Sequence, residues 1–196
     1  MNKQVIVDFD DFHETSGGLE ELQKLKDYYP NFRVTLFTIP LKCSENFLID
    51  IISKIDWIQL AIHGTTHENQ EFGSKDYNYC NRIMNIYESG FFVRGFKAPH
   101  WAASSETMEW LKDNDFWIAI EHPYRENRKR IPKDIFYYSY MENSQLDEFG
   151  EYSRYHNHID WGNGLLKEID DLIGLWPKYS EFEFIDNIVK KWEGFE

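Results

Sequence analysis

The sequence predicts an α/β protein: a distorted (β/α) barrel of about seven parallel strands, forming a single domain over residues 1–196. Three observations predict it. A chain of 196 residues fits one domain with one core. Short apolar, β-branched or aromatic runs alternate with segments of helical period, the rhythm of parallel strands joined by crossover connections. Polar and acidic residues fall at the ends of those runs, where the loops that follow barrel strands build an active site.

Each element has its own signal. "QVIVDF" (4–9) is an apolar run that ends in carboxylates, and "SGG" (16–18) starts a helix over 18–29 in which Leu19, Leu22, Leu25 and Tyr29 recur as one buried stripe. "FRVTLFTI" (32–39) is followed by a helix over 45–55, "WIQLAIH" (57–63) by one over 76–89, and "FFVRGFKA" (91–98) by one over 104–114. "FWIAIE" (116–121), "IFYYSY" (135–140) and "RYHNHI" (154–159) complete the strands. Helices over 164–173 and 181–192 follow, separated by Pro177, and the second opens on a Ser180/Glu183 capping box. There is no internal repeat, linker or low-complexity tract.

Composition narrows the function classes. With 42% hydrophobic, 17% aromatic and 28% charged residues, the chain is ordered and globular. Aromatic rings beyond the needs of a core suit stacking on sugars. A net charge of −13 repels polyanions, and the one basic cluster, "YRENRKR" (124–130), carries its own Glu126, which argues against nucleic acid as a partner. No run approaches the ~20 apolar residues of a membrane span and none reads as a secretory signal, so no membrane partner is expected. Cys43 and Cys80 are far apart and in no metal-type spacing, as in a protein with reduced thiols. A cytoplasmic location is expected, with a small-molecule or carbohydrate substrate.

The chemistry concentrates in a few places. "VDFDDFH" (7–13) crowds Asp8, Asp10 and Asp11, whose mutual repulsion a divalent ion would offset. Side chains alternate along an extended chain, so of the adjacent Asp10 and Asp11 one can bind a cation while the other faces a bound water. "HGTTHE" (63–68) places two imidazoles four residues apart, a separation that converges on a metal. The zinc-protease helix motif needs Glu directly after its first His, and here that position is Gly64, so a base must come from elsewhere. No G-x-S-x-G and no Gly-rich phosphate loop is present. His13 and His122 read as loop residues.

"FDDF" (9–12), "HGTTH" (63–67) and "GFKAPHW" (95–101) resemble, in order and at strand ends, the first three motifs of the polysaccharide deacetylase family, carbohydrate esterase family 4. In outline those motifs are F-D-D-G, H-[ST]-x-x-H and F-R-P-P-Y, and the resemblance spans roughly residues 5–160. It implies Asp10 as general base and Asp11, His63 and His67 as ligands of a zinc-like divalent ion, with Asp8 outside the motif. The third motif's arginine, which orients the catalytic aspartate, is matched by Lys97; Lys lacks the planar fork of Arg, and Arg94 is the alternative. Ala98 replaces the first Pro, Pro99 keeps the second, and His100 takes the aromatic position.

The family's late motif carries a histidine that acts as general acid, and "YHNHIDW" (155–161) is its counterpart. His156 and His158 share a strand face, and His158 is favoured because it precedes an apolar residue and then Asp160, a possible partner for its ring. The family's fourth motif, with Asp and Trp, has no counterpart. The resemblance implies a metal-dependent amide hydrolase that removes an acetyl group from an N-acetylated sugar or a related small acylamide. Two other classes stay open. Lys97 and Ala98 keep alive a non-catalytic sugar- or ligand-binding protein of the same fold. A metal-dependent hydrolase of another bond, such as a phosphoester, would need more cationic groups near the metal than the sequence offers.

Overall fold

A computed structural model of the chain describes residues 4–120, 131–132, 134–140, 150–159 and 170–193. The basic cluster at 124–130, most of the helix expected over 164–173, and His122, Asp160 and Trp161 lie outside the described residues.

The strands are β1 (Gln4–Phe12), β2 (Val34–Thr38), β3 (Ile58–His63), β4 (Gly95–Lys97), β5 (Trp117–Ile120), β6 (Tyr137–Ser139) and β7 (Tyr152–His158). The helices between and after them are α1 (Leu19–Tyr28), α2 (Glu45–Lys54), α3 (Tyr77–Ile83), α4 (Ser105–Asp113) and α5 (Ile185–Glu193). The seven strands form one sheet in the order β6-β5-β4-β3-β2-β1-β7, with every pair parallel. α3 stops at Ile83, and the rest of the helix expected there is a 3₁₀ segment, Met84–Ser89.

Side-chain reach shows that the sheet curls. Strands lie ~4.8 Å apart, so β6 and β1, five spacings away from each other, would be ~24 Å apart in a flat sheet. The Tyr138 hydroxyl on β6 nevertheless donates to Asp8 Oδ2 on β1 at 2.9 Å. The sheet is therefore a distorted barrel, with β6 and β7 as its edges among the described residues. Both faces of β1 to β5 are covered, which is why those strands read as continuous apolar runs, whereas every residue of β7 is half-buried. Ile6, Phe37, Ala61, Trp117, Phe136 and Tyr138 pack inside with Ile185, Ile188 and Val189 of α5. Val7, Phe9, Leu36, Leu60, Ile62 and Phe96 face outward, into the layer that also buries Leu22 and Leu25 of α1 and Leu111 of α4. Gly95 is required where Trp117 crosses β4, because a Cβ there would lie 2.1 Å from the indole.

The last helix corrects the expectation of a Ser180/Glu183 capping box. α5 begins at Ile185, and the residues before it run alongside β1: Val5 pairs with Phe182, Val5 N–H donates to Glu181 O, and Glu183 N–H donates to Val5 O. Burying Phe182 against the sheet outweighs the local capping preference. No helix among the described residues is long and apolar enough to cross a membrane.

Candidate active site

The site forms at the C-terminal ends of β1, β3, β4 and β7. Asp10 and Asp11 lie in the last three residues of β1, and here strand alternation fails. The register with β2 shifts between Phe9 and Phe12, and Asp11 has φ 64°, in the left-handed region. This bulge turns the Asp11 carboxylate back toward the cavity that Asp10 faces, at a cost of order 1–3 kcal/mol for the backbone.

His63 ends β3. Its Nδ1 lies 3.0 Å from the Lys97 carbonyl oxygen. A carbonyl only accepts, so Nδ1 carries the hydrogen and the Nε2 lone pair is free. That Nε2 is 3.4 Å from Asp11 Oδ1, and His67 Nε2 is 3.0 Å from the same oxygen. A four-coordinate ion with ligand bonds of ~2.0–2.2 Å separates its ligands by about 3.3 Å. Asp11 Oδ1 is buried and accepts no hydrogen bond from the described residues. Asp11, His63 and His67 form a metal-type group, their ligand atoms within 4.8 Å of one another. The donor set, its spacing and the orphaned oxygen fit a zinc-like divalent ion.

A second polar layer lies beneath, spread over four strands. Lys97 Nζ donates to Asp8 Oδ1 at 2.7 Å and to Asp10 Oδ1 at 2.8 Å, and sits 3.9 Å from the centre of the Phe37 ring. Lys97, Asp8 and Asp10 are 1%, 0% and 2% exposed. Burial pushes both carboxyls up, but Lys97, with His156 and for Asp10 also His63, more than offsets it and holds both below the usual carboxylate range. His156 Nδ1 is 2.6 Å from Asp8 Oδ1. Lys97 Nζ lies farther from the same Nδ1, at 3.2 Å, so the closer carboxylate, which only accepts, makes Nδ1 the donor, and Nε2 is left 3.6 Å from Asp10 Oδ2. The repulsion among the three aspartates is therefore offset largely from within: one ammonium serves Asp8 and Asp10, and only Asp11 is left for a divalent ion.

His158 pairs in register with Asp10 on β1, and its Nε2 is 4.0 Å from Asp10 Oδ2. Its side chain is 32% exposed against 7% for His156. Burial pushes the His158 imidazole down, partly offset by Asp10 and Asp11. His100 and Trp101, both left-handed at φ 53° and 58°, stand at the rim. The His100 ring is 5.6 Å from His67, and Trp101 and Tyr140 are 5.8 Å and 5.0 Å from His156.

Arg94, the alternative to Lys97, is not part of this cluster. Its guanidinium lies on the surface, 3.1 Å from Asp115 and 3.3 Å from the Asn114 carbonyl, before β4 begins. His13 is a turn residue whose Nδ1 is 3.3 Å from the Thr15 N–H. Sequence reasoning placed Asp8 outside the motif and gave it no role, although its two-residue spacing from Asp10 puts both on one strand face. It missed Tyr138, which joins only through barrel closure, and Glu71, whose carboxylate holds the 65–67 backbone.

No protein-family model matches the chain, and no curated protein matches it in sequence. Solved structures do match in shape. A family 4 acetyl xylan esterase from Clostridium thermocellum, in complex with a cobalt ion, superposes with a TM-score of 0.64 at 13% identity, covering 96% of this chain and 91% of that one. The chitin deacetylase of the fungal pathogen Colletotrichum lindemuthianum gives 0.61 at 13% identity over 96% and 88%. A mutant of a family 4 pseudoenzyme with restored enzymatic activity gives 0.58 at 16% identity over 95% and 67%. The chain has the fold of the carbohydrate esterase family 4 proteins.

Proposed function

We propose that this protein is a metal-dependent deacetylase that removes an acetyl group from an N-acetylated sugar or a related small acylamide. The observation that carries this is the meeting of Asp11 Oδ1, His63 Nε2 and His67 Nε2 beside an Asp10 carboxylate fixed by a buried lysine. Fold neighbours described as a chitin deacetylase and as an acetyl xylan esterase with a bound cobalt ion support it.

Asp11, His63 and His67 hold the divalent ion, with zinc the best match to one carboxylate and two imidazoles. When bound, such an ion supplies Lewis-acid polarisation of the acyl oxygen and lowers the pKa of water from 15.7 toward ~7. Asp10 takes a proton from the water that attacks the acyl carbon. Lys97 occupies Asp10 Oδ1, which leaves Oδ2 as the basic atom, and keeps the carboxylate ionised. His158 returns a proton to the leaving amine as the C–N bond breaks; it is the more exposed of the two histidines, whereas His156 Nδ1 is committed to Asp8. The products are acetate and a free amine. Both cysteines are free, which fits action in the reducing cytoplasm.

The non-catalytic alternative rests on Lys97 and Ala98. The 2.8 Å contact between Lys97 and Asp10 keeps a cation on the base and favours the enzyme. The test is a screen of zinc-loaded protein against N-acetyl sugars, peptidoglycan fragments, O-acetylated xylan fragments and small acylamides, read by mass spectrometry for loss of acetyl. Acetyl loss from an N-acetyl compound is expected, and none from any substrate would contradict the proposal. His158→Ala is expected to lower amide hydrolysis by about 10²–10⁴-fold while largely sparing a 4-nitrophenyl acetate ester, whose leaving group needs no proton. Equal losses on both substrates would remove His158 as the acid.

A further inference from the structure

We propose that Glu71, which belongs to none of the three motifs, is a positioning residue of the metal centre and sets its zinc affinity by bracing the loop that carries His67. The proposal rests on the assignment of Asp11, His63 and His67 as ligands. Glu71 is 6% exposed. Its Oε2 accepts three consecutive backbone N–H groups, those of Thr65, Thr66 and His67, at 3.0, 3.1 and 3.0 Å, and its Oε1 accepts the Thr65 hydroxyl. Successive N–H groups aimed at one anion form a nest, and here the protein supplies the anion from its own chain.

The surrounding residues make room for that carboxylate and hold it still. Gly64 has φ 64°, and a Cβ there would lie 2.7 Å from Glu71 Oε2 and 2.6 Å from Pro99 Cγ. Glycine is therefore the residue that lets the carboxylate reach under the loop. On the other side Phe72, fully buried, bridges to Ala103, and its carbonyl accepts the Ser104 N–H, which anchors the backbone next to Glu71. The braced loop ends at His67 with φ 60°, a conformation that an unsupported histidine leaves readily. It is this conformation that brings His67 Nε2 to 3.0 Å from Asp11 Oδ1. Without Glu71 the three N–H groups lose their shared acceptor, and the loop relaxes toward ordinary backbone angles and carries the imidazole away.

The experiment is a competition for zinc between the full-length chain and a chromophoric chelator, with thermal unfolding of the metal-free proteins measured alongside. Glu71→Ala is expected to weaken zinc binding by about 10–100-fold, the range for partners that orient metal ligands. Glu71→Gln keeps an oxygen for the three N–H groups and is expected to restore most of that affinity. An affinity within twofold of the parent for Glu71→Ala would overturn the proposal, and so would a Gln variant as weak as Ala, which would assign the effect to charge. If Glu71→Ala does not fold, Thr65→Val, which removes the hydroxyl that holds Glu71 Oε1, decides: weaker zinc binding than the parent supports the brace, and parent affinity overturns it. A parent protein that binds no zinc at all would instead refute the ligand assignment.

Discussion

Lys97→Met is expected to destabilise the fold by about 3–5 kcal/mol, the range for removing one partner of a buried charge cluster. Methionine matches the length of lysine but leaves Asp8 and Asp10 facing each other in the interior without a cation, with exposures of 0% and 2%. The Tyr138 hydroxyl and the His156 Nδ1–H remain on Asp8, whereas Asp10 Oδ1 loses the Lys97 ammonium. Denaturant midpoints measure the effect, and adding Asp8→Asn to Lys97→Met is expected to recover part of it by removing one unpaired charge. A loss below 1 kcal/mol would mean that Asp8 and Asp10 are not both ionised. The sign with pH follows from the lowered carboxyls: their stabilisation is fully present above their ordinary values, about 4, and is lost as pH falls through the folded-state values. The parent therefore weakens in acid, and because those values rise in Lys97→Met, the stability gap between parent and variant narrows as pH falls and the buried carboxyls protonate.

Asp10→Asn is expected to keep the metal and to lower acetate release by about 10²–10⁴-fold. The asparagine can still accept from Lys97 through its amide oxygen, so the layer below the site is preserved, but no basic oxygen is left to take a proton from water. Steady-state kinetics on the best substrate from the screen, paired with metal analysis, separates loss of the base from loss of the ion. Activity within tenfold of the parent, with metal retained, would assign the base to another residue.

Much of this architecture is legible in the chain. The apolar runs at 4–9, 57–63 and 116–120 read as strands because both sides of each are largely buried, and the first two motifs bring Asp10, Asp11, His63 and His67 together in order. What is not legible depends on closure of the barrel. Asp8 is 89 residues from Lys97 and 148 from His156, and no local pattern reports that β4 and β7 arrive on either side of β1. The Asp11 bulge is hidden for another reason: period-two alternation is the only rule that sequence offers for a strand, and a single left-handed residue breaks it. Glu71 looks like an ordinary surface acid until the loop wraps over it. The start of α5 misleads because Ser180 and Glu183 form a good local cap, while pairing of Phe182 with Val5 is a tertiary event.

Zinc stoichiometry tests the central claim most directly. Chelator-stripped protein dialysed to equilibrium against zinc is expected to retain one ion per chain, as is Asp10→Asn, while Asp11→Ala, His63→Ala and His67→Ala retain none above background. Parent-level zinc in the three ligand variants, or no zinc in the parent, would contradict a metal centre built on these side chains.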